Sequence, residues 1–529
     1  MSSTYDVVVA GGGHNSLVAS AYLAAAGLKV LVLERNPWLG GGVVTRELTL
    51  PGFKQDLHST AHMLLQANPL IRNDELGLVS RFGLKYFRPE ITVATIFDDG
   101  SRVLTYHDLD KTCEAMAQIS AQDAESYRRH VQKSLELMPI FTSGMFAPPA
   151  PFGTFVSILE QSRQGRELIG VMNKSAYDIV GEVFKNEKLK IHFLKFASEA
   201  MSGPEEKGTG LVFSMLVGWV HAFHAGVPLG GSGMLVEALA RCLAEYGGET
   251  RTDSHVSRVI VQGGKAVGVQ LQSGEEILAK RAVIGCFHPH LLRNYVSGID
   301  PLILADAERT QSAGYSSFVV NYALNSAPTY PALAGLPQPL MTELLPSSLM
   351  TLRREFDSLR YGEMPSHAAM ACFTHTNFDP SRAPPGKATL YMYSFAPYDL
   401  ADGGAPRWDE TKEKVADWML ASYREYAENI GPENILGRHI STPLDNERTT
   451  LSFQKGDISG IGRYLYQFLG RRPTPELSKY AVPGIEGLYL CGPFMHPGGG
   501  VIGGGRAVAV KMMDDLGMDF DKAVQRARR

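Results

Sequence analysis

The feature that most constrains the fold is a strand–helix–strand pattern near the beginning of the sequence. Tyr5 to Ala10 form a short, continuous apolar run, which is typical of a strand buried on both faces of a parallel sheet. Alanine and leucine residues between Leu17 and Ala26 predict a helix, which Gly27 ends. Residues 29–33 are mostly apolar and predict a second strand, so the chain should open with a βαβ unit.

Glycines between the first strand and the helix indicate a bound dinucleotide. In Gly11-x-Gly13-x-x-Ser16 the first glycine permits a tight turn, and the second lets the backbone approach a pyrophosphate at the helix N-terminus. Ser16 stands where a third glycine usually lets the helix pack closely on the strand, and its small side chain should disturb that packing little. Glu34 ends the second strand, where a carboxylate can accept both hydroxyl protons of an adenosine ribose; the alternative is a solvated strand-end acid. Together these residues predict a Rossmann-type domain.

The segment after the second strand resembles a family signature. Residues 34–45, ERNPWLGGGVVT, look like the second FAD signature of flavin amine oxidases and phytoene desaturases. These relatives usually carry a basic residue where this sequence has Gly42, whereas Thr45 matches. The resemblance implies FAD as the cofactor and places Arg35 and Gly41 beside it.

Two further segments resemble the phytoene desaturase-like branch of the FAD-dependent amine oxidase and desaturase superfamily. Residues 487–501 look like the closing motif of that branch, and Pro228 to Ala240 also match it. A helix from Arg506 to Met513 would aim its N–H groups at the electron-rich edge of a flavin. In the family, the hairpin that here begins at Val256 gives backbone contacts to the adenine. The predicted cofactor-binding residues are Gly11, Gly13, Asn15, Ser16, Glu34, Arg35, Gly41, Gly42, Thr45, Thr60, Val256, Gly492 and Val501.

Three histidines are candidates for proton transfer beside the flavin. Residues 52–60 align with the loop that passes the flavin ring in the family, where a Gly-Pro pair usually stands in place of His58 and Ser59. An imidazole titrates near neutral pH, so His58 is the leading candidate to remove a substrate proton while the flavin takes a hydride. His62 and His496 are its rivals, and each of the three could instead be a histidine satisfied by backbone groups.

The predicted fold class is α/β: a Rossmann-type FAD-binding domain with an interleaved α+β substrate domain and a helical cap. Residues 256–261 and 266–271 predict a hairpin, which together with the buried run 282–285 suits the nucleotide domain. No internal repeat or low-complexity linker divides the chain, so the domains should be assembled from separated segments. The predicted ranges are 1–80, 226–295 and 470–529 for the FAD-binding domain, and 81–225 and 296–469 for the substrate domain.

The substrate domain is predicted from helical and strand periodicity. Ser120 to Ala200 should form the helical cap, with Asp123 capping its first helix. A helix whose aromatic side chains pack in a core is expected from Trp408 to Ile430. Strands of a second sheet are expected at 318–324, 367–373 and 389–395.

Composition argues against several other classes. The formal net charge is −4 and the only basic cluster is a short tail, so nucleic acid is not an expected partner and membrane contact would be weak and peripheral. Five separated cysteines without C-x-x-C spacing predict neither a redox disulfide nor a metal site, and they fit a cytoplasmic location. The longest apolar stretch, 211–229, carries His221, His224 and Pro228 and is not expected to span a membrane. The basic tail consists of Lys522, Arg526, Arg528 and Arg529.

The resemblance implies an FAD-dependent desaturase or dehydrogenase. A flavin would accept a hydride from a C–H bond while the adjacent carbon loses a proton to a base, giving a C=C bond in an apolar or alicyclic carbonyl substrate. Open alternatives are a carotenoid-type polyene desaturase, a flavin amine oxidase and a noncatalytic lipid escort protein of the same fold. Gly231-x-Gly233 lacks a preceding buried strand, so no second dinucleotide site is predicted, and oxygen or a quinone is the expected electron acceptor.

Overall fold

A computed structural model describes residues 4–528, so Arg529 of the basic tail lies outside the described residues. Its first sheet has seven strands, and Thr4–Ala10 lies in the centre, parallel to both neighbours. Every side chain of Val30–Leu33 is buried, as expected for a continuous apolar run inside a parallel sheet. The strands of this sheet are Thr4–Ala10, Val30–Leu33, Glu249–Arg251, Val256–Gln262, Lys265–Leu271, Glu276–Gly285 and Leu488–Leu490.

The predicted hairpin is confirmed at one edge of the first sheet. Val256–Gln262 and Lys265–Leu271 pair antiparallel, and the turn residues Gly263 and Gly264 have φ values of 58° and 77°. A two-residue hairpin turn of this kind needs positive φ at both positions, which glycine adopts without strain. The loop before the hairpin is fixed to the second strand, because the Ser254 N–H donates to the Glu34 carbonyl at 2.8 Å.

The second sheet also has seven strands. It is antiparallel except where Met341–Leu345 runs parallel to Ile91–Phe97. The three predicted strands are present, although the one expected from His367 begins at Met370. In spatial order the strands are Ile435–Ser441, Ser316–Leu324, Ala388–Ala396, Met370–Phe373, Met341–Leu345, Ile91–Phe97 and Arg102–Tyr106.

The region predicted as a helical cap is helical, but its first helix is capped by a different residue. Ser120 is the N-cap, and its hydroxyl accepts from the Asp123 N–H at 3.2 Å. Asp123 is buried, and its carboxylate accepts the N–H groups of Lys185 (3.0 Å) and Asn186 (2.7 Å). The prediction of Asp123 as the cap is therefore wrong, because a later loop takes both of its oxygens.

Helices surround both sheets, and one is shorter than predicted. The helix expected over 408–430 is Trp408–Tyr423. Trp408 and Tyr423, its first and last residues, are both buried, as expected for aromatic side chains that pack in a core. The helices are His14–Ala25, Pro69–Arg72, Leu109–Ala117, Ala121–Met145, Phe152–Glu160, Arg163–Met172, Ala176–Val183, Glu187–Ser198, Thr209–Ala222, Gly233–Glu245, Leu292–Tyr295, Pro301–Glu308, Leu349–Arg360, Trp408–Tyr423, Pro443–Thr449, Gly505–Asp515 and Phe520–Ala527.

The two sheets use different parts of the chain. All strands of the first sheet fall in the segments predicted for the FAD-binding domain, and all strands of the second fall in those predicted for the substrate domain. The exact boundaries stay a prediction. Thr45–Glu47 and Lys54–Asp56 form a separate antiparallel pair. Asp56 joins this pair to the substrate half through a buried ion pair with Arg382, whose Nη2 lies 2.6 Å from Oδ2.

The apolar stretch 211–229 is mostly helical and lies inside the protein. Helix Thr209–Ala222 covers its first part, and most of that helix is buried. Between residues 4 and 528, no helix combines the length and the apolar character needed to cross a bilayer.

Candidate active site

One cavity of about 340 Å³ extends from the glycine turn of the first sheet to the face of the second sheet. Its first part is lined by the turn at Gly11 and Gly13, and its far part by Tyr391 and Tyr393. All of the predicted cofactor-binding residues except Thr45 line it. The structure therefore brings together residues that the sequence scatters from 11 to 501.

The glycine turn exposes backbone to this cavity. Gly11 has a φ of 118°, and a Cβ there would lie 2.7 Å from the Cβ of Cys286. At Gly13, by contrast, an added Cβ would meet nothing within 4 Å, so the backbone faces open space. Ser16 uses its hydroxyl inside the turn, with the Gly11 carbonyl at 2.6 Å, which explains why serine is accepted in place of the usual third glycine.

The Glu34 carboxylate is oriented by backbone N–H groups at the end of its strand. Its Oε2 accepts from the Gly12 N–H at 2.8 Å, and its Oε1 accepts from the Asn36 N–H at 2.9 Å. Because each carboxylate oxygen has a second lone pair, both can still accept a ribose hydroxyl. Arg35 also lines the cavity, but its guanidinium already donates to the Arg448 carbonyl at 2.7 Å.

Thr45 lies behind the cavity wall, where it positions a helix. Its hydroxyl donates to Asp56 Oδ1 at 2.6 Å and accepts from the Gly233 N–H at 2.8 Å, where helix Gly233–Glu245 begins. A Cβ at Gly231 would lie 2.4 Å from the Thr45 side chain. The glycines before this helix thus allow close packing on Thr45, which accounts for Gly231-x-Gly233 without a second dinucleotide.

The C-terminal motif contributes a third part of the wall. Gly492 and Val501 line the cavity, and helix Gly505–Asp515 begins shortly after them. The Gly504 N–H donates to Asn15 Oδ1 at 2.9 Å. Asn15 therefore ties the first turn of helix His14–Ala25 to the start of helix Gly505–Asp515.

His58 is the predicted histidine that reaches the cavity. Its ring lies edge-on to Phe453 with centroids 5.4 Å apart, and neither ring nitrogen has a hydrogen-bond partner within residues 4–528. Burial lowers the pKa of His58 to about 4, so the ring is neutral at physiological pH. The hydroxyl of Tyr391 donates to the His58 carbonyl at 3.2 Å and fixes the loop against the second sheet.

The two rival histidines do not line this cavity. His62 lies 2.8 Å from the Tyr86 hydroxyl through Nδ1 and 3.2 Å from the Ser232 hydroxyl through Nε2. His496 Nε2 lies 2.9 Å from the Gly144 carbonyl. Both rings are buried and make hydrogen bonds to protein groups, which fits the alternative to a catalytic role given above for each histidine.

The first part of the cavity fits an adenine dinucleotide. Besides the exposed backbone at Gly13 and the lone pairs of Glu34, two side chains on its wall have buried polar atoms without a protein partner in the described part of the chain. These atoms are His14 Nε2 and Thr450 Oγ1. Since buried polar atoms are normally hydrogen-bonded, such a wall suits a ligand that brings donors and acceptors of its own.

Comparison with known proteins identifies the family. The family described as flavin-containing amine oxidoreductase matches residues 17–511 of the sequence. The chain belongs to this family. A subunit of the limonene dehydrogenase of Castellaniella defragrans is 28% identical, over 97% of this chain and 95% of that protein. The lycopene-forming phytoene desaturase of Pseudescherichia vulneris is 26% identical, over 96% of this chain and 99% of that protein.

A solved structure has the same fold. A putrescine oxidase variant superposes with a TM-score of 0.60 at 16% identity, covering 99% of both chains. The predicted resemblance, the α/β fold class, FAD as cofactor and an FAD-dependent oxidoreductase are thereby confirmed. The roles assigned to individual residues stay predictions.

Sequence reasoning missed the residues on the far wall of this flavoprotein's cavity. Phe373, Tyr391 and Tyr393 come from two adjacent strands of the second sheet, and Glu199 follows helix Glu187–Ser198. Tyr391 and Tyr393 are two positions apart on one strand, so alternation could have placed them on one face. Glu199 carries no such signal in the sequence.

Proposed function

We propose that this flavoprotein is a desaturase or dehydrogenase that converts a CH–CH group of an apolar or alicyclic substrate to C=C. The observation that carries the proposal is the continuity of the cavity, which joins the nucleotide turn to an apolar, aromatic wall. FAD, when bound, supplies the hydride acceptor. The protein binds and orients the substrate and handles the proton.

The far wall is suited to a flat or alicyclic hydrocarbon. The Phe373 and Tyr391 rings are 5.8 Å apart edge-on, and Tyr391 and Tyr393 are 6.1 Å apart. Met201 and Ile458 add aliphatic surface to the same cavity. Aromatic and aliphatic side chains of this kind bury apolar area, and the few polar groups among them fix orientation.

His58 is proposed to orient the substrate or to accept its proton. Its two ring nitrogens have no partner in the described part of the chain, His58 lines the same cavity as the aromatic wall, and the neutral ring can both donate and accept a hydrogen bond. His62 and His496 are already bonded within the protein, so His58 carries this part of the proposal.

A charge pair accompanies the aromatic wall. The Lys195 ammonium lies 4.4 Å from the centre of the Phe395 ring and 5.5 Å from that of Tyr393, and it pairs with the Glu199 carboxylate, which lines the cavity. These opposite charges favour neither a hydrocarbon nor an amine. The proposed CH–CH substrate therefore depends on the apolar wall, and an amine substrate serves as the test of the alternative oxidase.

The relatives support the proposed substrate class and leave the oxidant to experiment. One is named for limonene, an alicyclic hydrocarbon, and the other for phytoene, an apolar polyene. Oxygen or a quinone is the proposed electron acceptor, and NADH should reduce the flavin slowly at most. A cytoplasmic location with at most weak peripheral membrane contact, and no role in nucleic-acid binding, complete the proposal.

Anaerobic bleaching of the flavin tests this function. The purified protein, loaded with FAD, is mixed with limonene, cyclohexanone, a polyene or cyclohexylamine, and the flavin absorbance is followed in a stopped-flow instrument. We expect an alicyclic or polyene compound to reduce the flavin and cyclohexylamine to leave it oxidised. Fast reduction by cyclohexylamine alone would establish an amine oxidase instead.

A further inference from the structure

Behind the aromatic wall lies a cluster of buried charges that the sequence motifs do not include. Lys195 forms an ion pair with Glu199, and its Nζ also lies 3.9 Å from Oε1 of Glu343. The side chains of Lys195 and Glu343 are 1% and 0% exposed. A buried ammonium between two carboxylates costs much desolvation free energy, and such a cluster next to a cavity is a candidate functional site.

The positions of these charges follow from two neighbouring elements. Lys195 and Glu199 are one turn apart at the end of helix Glu187–Ser198, where an ammonium and a carboxylate four residues apart face each other. Glu343 lies on strand Met341–Leu345, directly opposite Thr95 of the parallel neighbour. The Thr95 hydroxyl donates to Glu343 Oε2 at 2.9 Å, which fixes that carboxylate toward the helix.

Glu199 is the member of the cluster that meets the cavity. It lines the cavity together with His58 and Tyr391, and its side chain is 18% exposed. Lys195 and Glu343 do not line the cavity and lie behind it. Any exchange of protons between the substrate and this cluster must therefore pass through the carboxylate of Glu199.

We propose that Glu199 is the catalytic residue that takes the substrate proton, and that Lys195 positions it. The inference rests on the proposed function. One C–H bond of the substrate gives its hydrogen and both electrons to oxidised FAD as hydride. The C–H bond of the neighbouring carbon breaks with its proton passing to Glu199 and its electron pair forming the C=C bond. FAD, when bound, would pass the two electrons on to the acceptor, and Glu199 returns its proton to solvent.

The cluster is built to tolerate this change of charge. When Glu199 becomes neutral, its charge no longer raises the pKa of Glu343, so Glu343 remains as the counter-ion of Lys195, 3.9 Å away. In addition, Oε1 of Glu343 has no hydrogen-bond donor among residues 4–528, so it is free to strengthen that interaction. A proton taken by Glu199 therefore does not leave an unpaired ammonium in the interior, which would be costly.

The groups that face Glu199 determine its titration. They are Lys195 on the preceding helix, Glu343 on the neighbouring strand, Tyr391 on a strand of the second sheet, and Tyr315, which directly precedes another strand of that sheet. Burial raises the pKa of Glu199 above that of an ordinary carboxyl group, and the Lys195 charge opposes the rise. Burial also raises the pKa of Glu343, and the Lys195 charge opposes that rise as well. Proton removal by Glu199 should therefore increase with pH and level off once the Glu199 carboxyl is ionised.

Hydrogen–deuterium exchange tests the proton step apart from the redox step. The FAD-loaded protein is incubated with cyclohexanone in D₂O, and loss of the signal of the hydrogens next to the carbonyl is followed by proton NMR. We expect exchange above the buffer rate in the wild type and a loss of about 10²-fold in Glu199→Gln. Glu205→Gln is the matched control, because Glu205 pairs with Arg360 and does not line the cavity.

The outcomes separate the candidates. Exchange that persists in Glu199→Gln but is lost in His58→Gln would assign the proton to His58 and overturn the proposal, as would wild-type exchange no faster than buffer. Flavin bleaching by the substrate panel would still stand in that case. If no panel compound bleaches the flavin while exchange depends on Glu199, the proposed function fails and the proton role holds.

Lys195→Met tests the positioning role. Without the ammonium, the pKa of Glu199 should rise further, so the pH dependence of exchange should move to higher pH, whereas a purely structural role would lower the rate equally at every pH. Infrared difference spectra between wild type and Glu199→Gln, recorded across pH, report the protonated carboxyl directly. An unshifted profile in folded Lys195→Met with FAD bound would contradict the positioning role.

Discussion

The two ends of the cavity present different kinds of groups. At the nucleotide end, the cavity is faced by backbone at Gly13 and by the Glu34 carboxylate, which two backbone N–H groups orient. At the substrate end, the polar groups are side chains, and Glu199 depends on the charges of Lys195 and Glu343 behind it. Backbone geometry thus shapes the nucleotide end, whereas desolvated charge shapes the substrate end.

This difference predicts different sensitivities to substitution. Replacing Glu34 at the nucleotide end removes hydrogen bonds to two backbone N–H groups. The charges of Lys195 and Glu343 behind the substrate end are removed from water, so the loss of a partner leaves an uncompensated ion. Replacing one member of a buried ion pair should therefore lower the free energy of unfolding more than replacing a residue that contacts the cofactor.

The largest effect is expected at the buried ion pair beside the His58 loop. Arg382→Met leaves the Asp56 carboxylate without its counter-ion, with both side chains at most 1% exposed, and should lower the free energy of unfolding by about 3–5 kcal/mol. Arg251→Met is the control, because its ion pair with Glu275 is 43% and 46% exposed and should contribute at most about 1 kcal/mol. Urea denaturation measures both, and equal losses would contradict the greater stabilisation expected from a buried ion pair.

An intermediate effect is expected at Glu34. Glu34→Ala removes the proposed acceptor of the ribose hydroxyls and should weaken FAD binding by about 10- to 100-fold, since hydrogen bonds to a charged group contribute roughly 1.5–3 kcal/mol. The exposed Glu237, which pairs with Arg241 on a helix surface, provides the control substitution Glu237→Ala. Equilibrium dialysis against free FAD gives both dissociation constants. An unchanged dissociation constant in Glu34→Ala would show that the glycine turn binds FAD without the help of this carboxylate.

The smallest effect is expected at Ser16. Ser16→Gly restores the glycine usual in this motif but removes the hydroxyl bonded to the Gly11 carbonyl. One neutral hydrogen bond contributes about 1 kcal/mol to stability, and FAD affinity should change little. Thermal unfolding of the apoprotein and of the FAD-bound protein measures the change in stability for each form. A large loss of FAD from Ser16→Gly would contradict the small effect expected at this position.

The sequence predicted the nucleotide end because its residues follow one another along the chain. Gly11, Gly13, Glu34 and Gly41 lie within one βαβ unit and the loop after it, so spacing alone brings them together. Thr45 belongs to the same signature, yet it supports a helix behind the wall. The motif therefore identified the region. Only the packing in the structure distinguished the residues that line the cavity from those that support its wall from behind.

The substrate end could not be predicted in the same way. Glu199, Phe373 and Tyr391 are brought together by the order of strands in the second sheet, which periodicity does not reveal. The helix before Glu199 is buried along most of its length, so an amphipathic pattern does not single out the residue beside the cavity. Asp123 shows the same limit, because residues 62 positions further along decide which group it bonds.

Close contact between the first helix of the nucleotide half and helix Gly505–Asp515 has a consequence for biosynthesis. A Cβ at Gly505 would lie 1.8 Å from the Asn15 carbonyl oxygen, so helix Gly505–Asp515 rests directly on the helix that follows the glycine turn. The short strand Leu488–Leu490 also pairs with Glu276–Gly285. The ribosome must therefore synthesise the chain as far as helix Gly505–Asp515 before this half can close. Until then its nascent sheet has an unpaired edge, and such edges are sites at which growing chains aggregate.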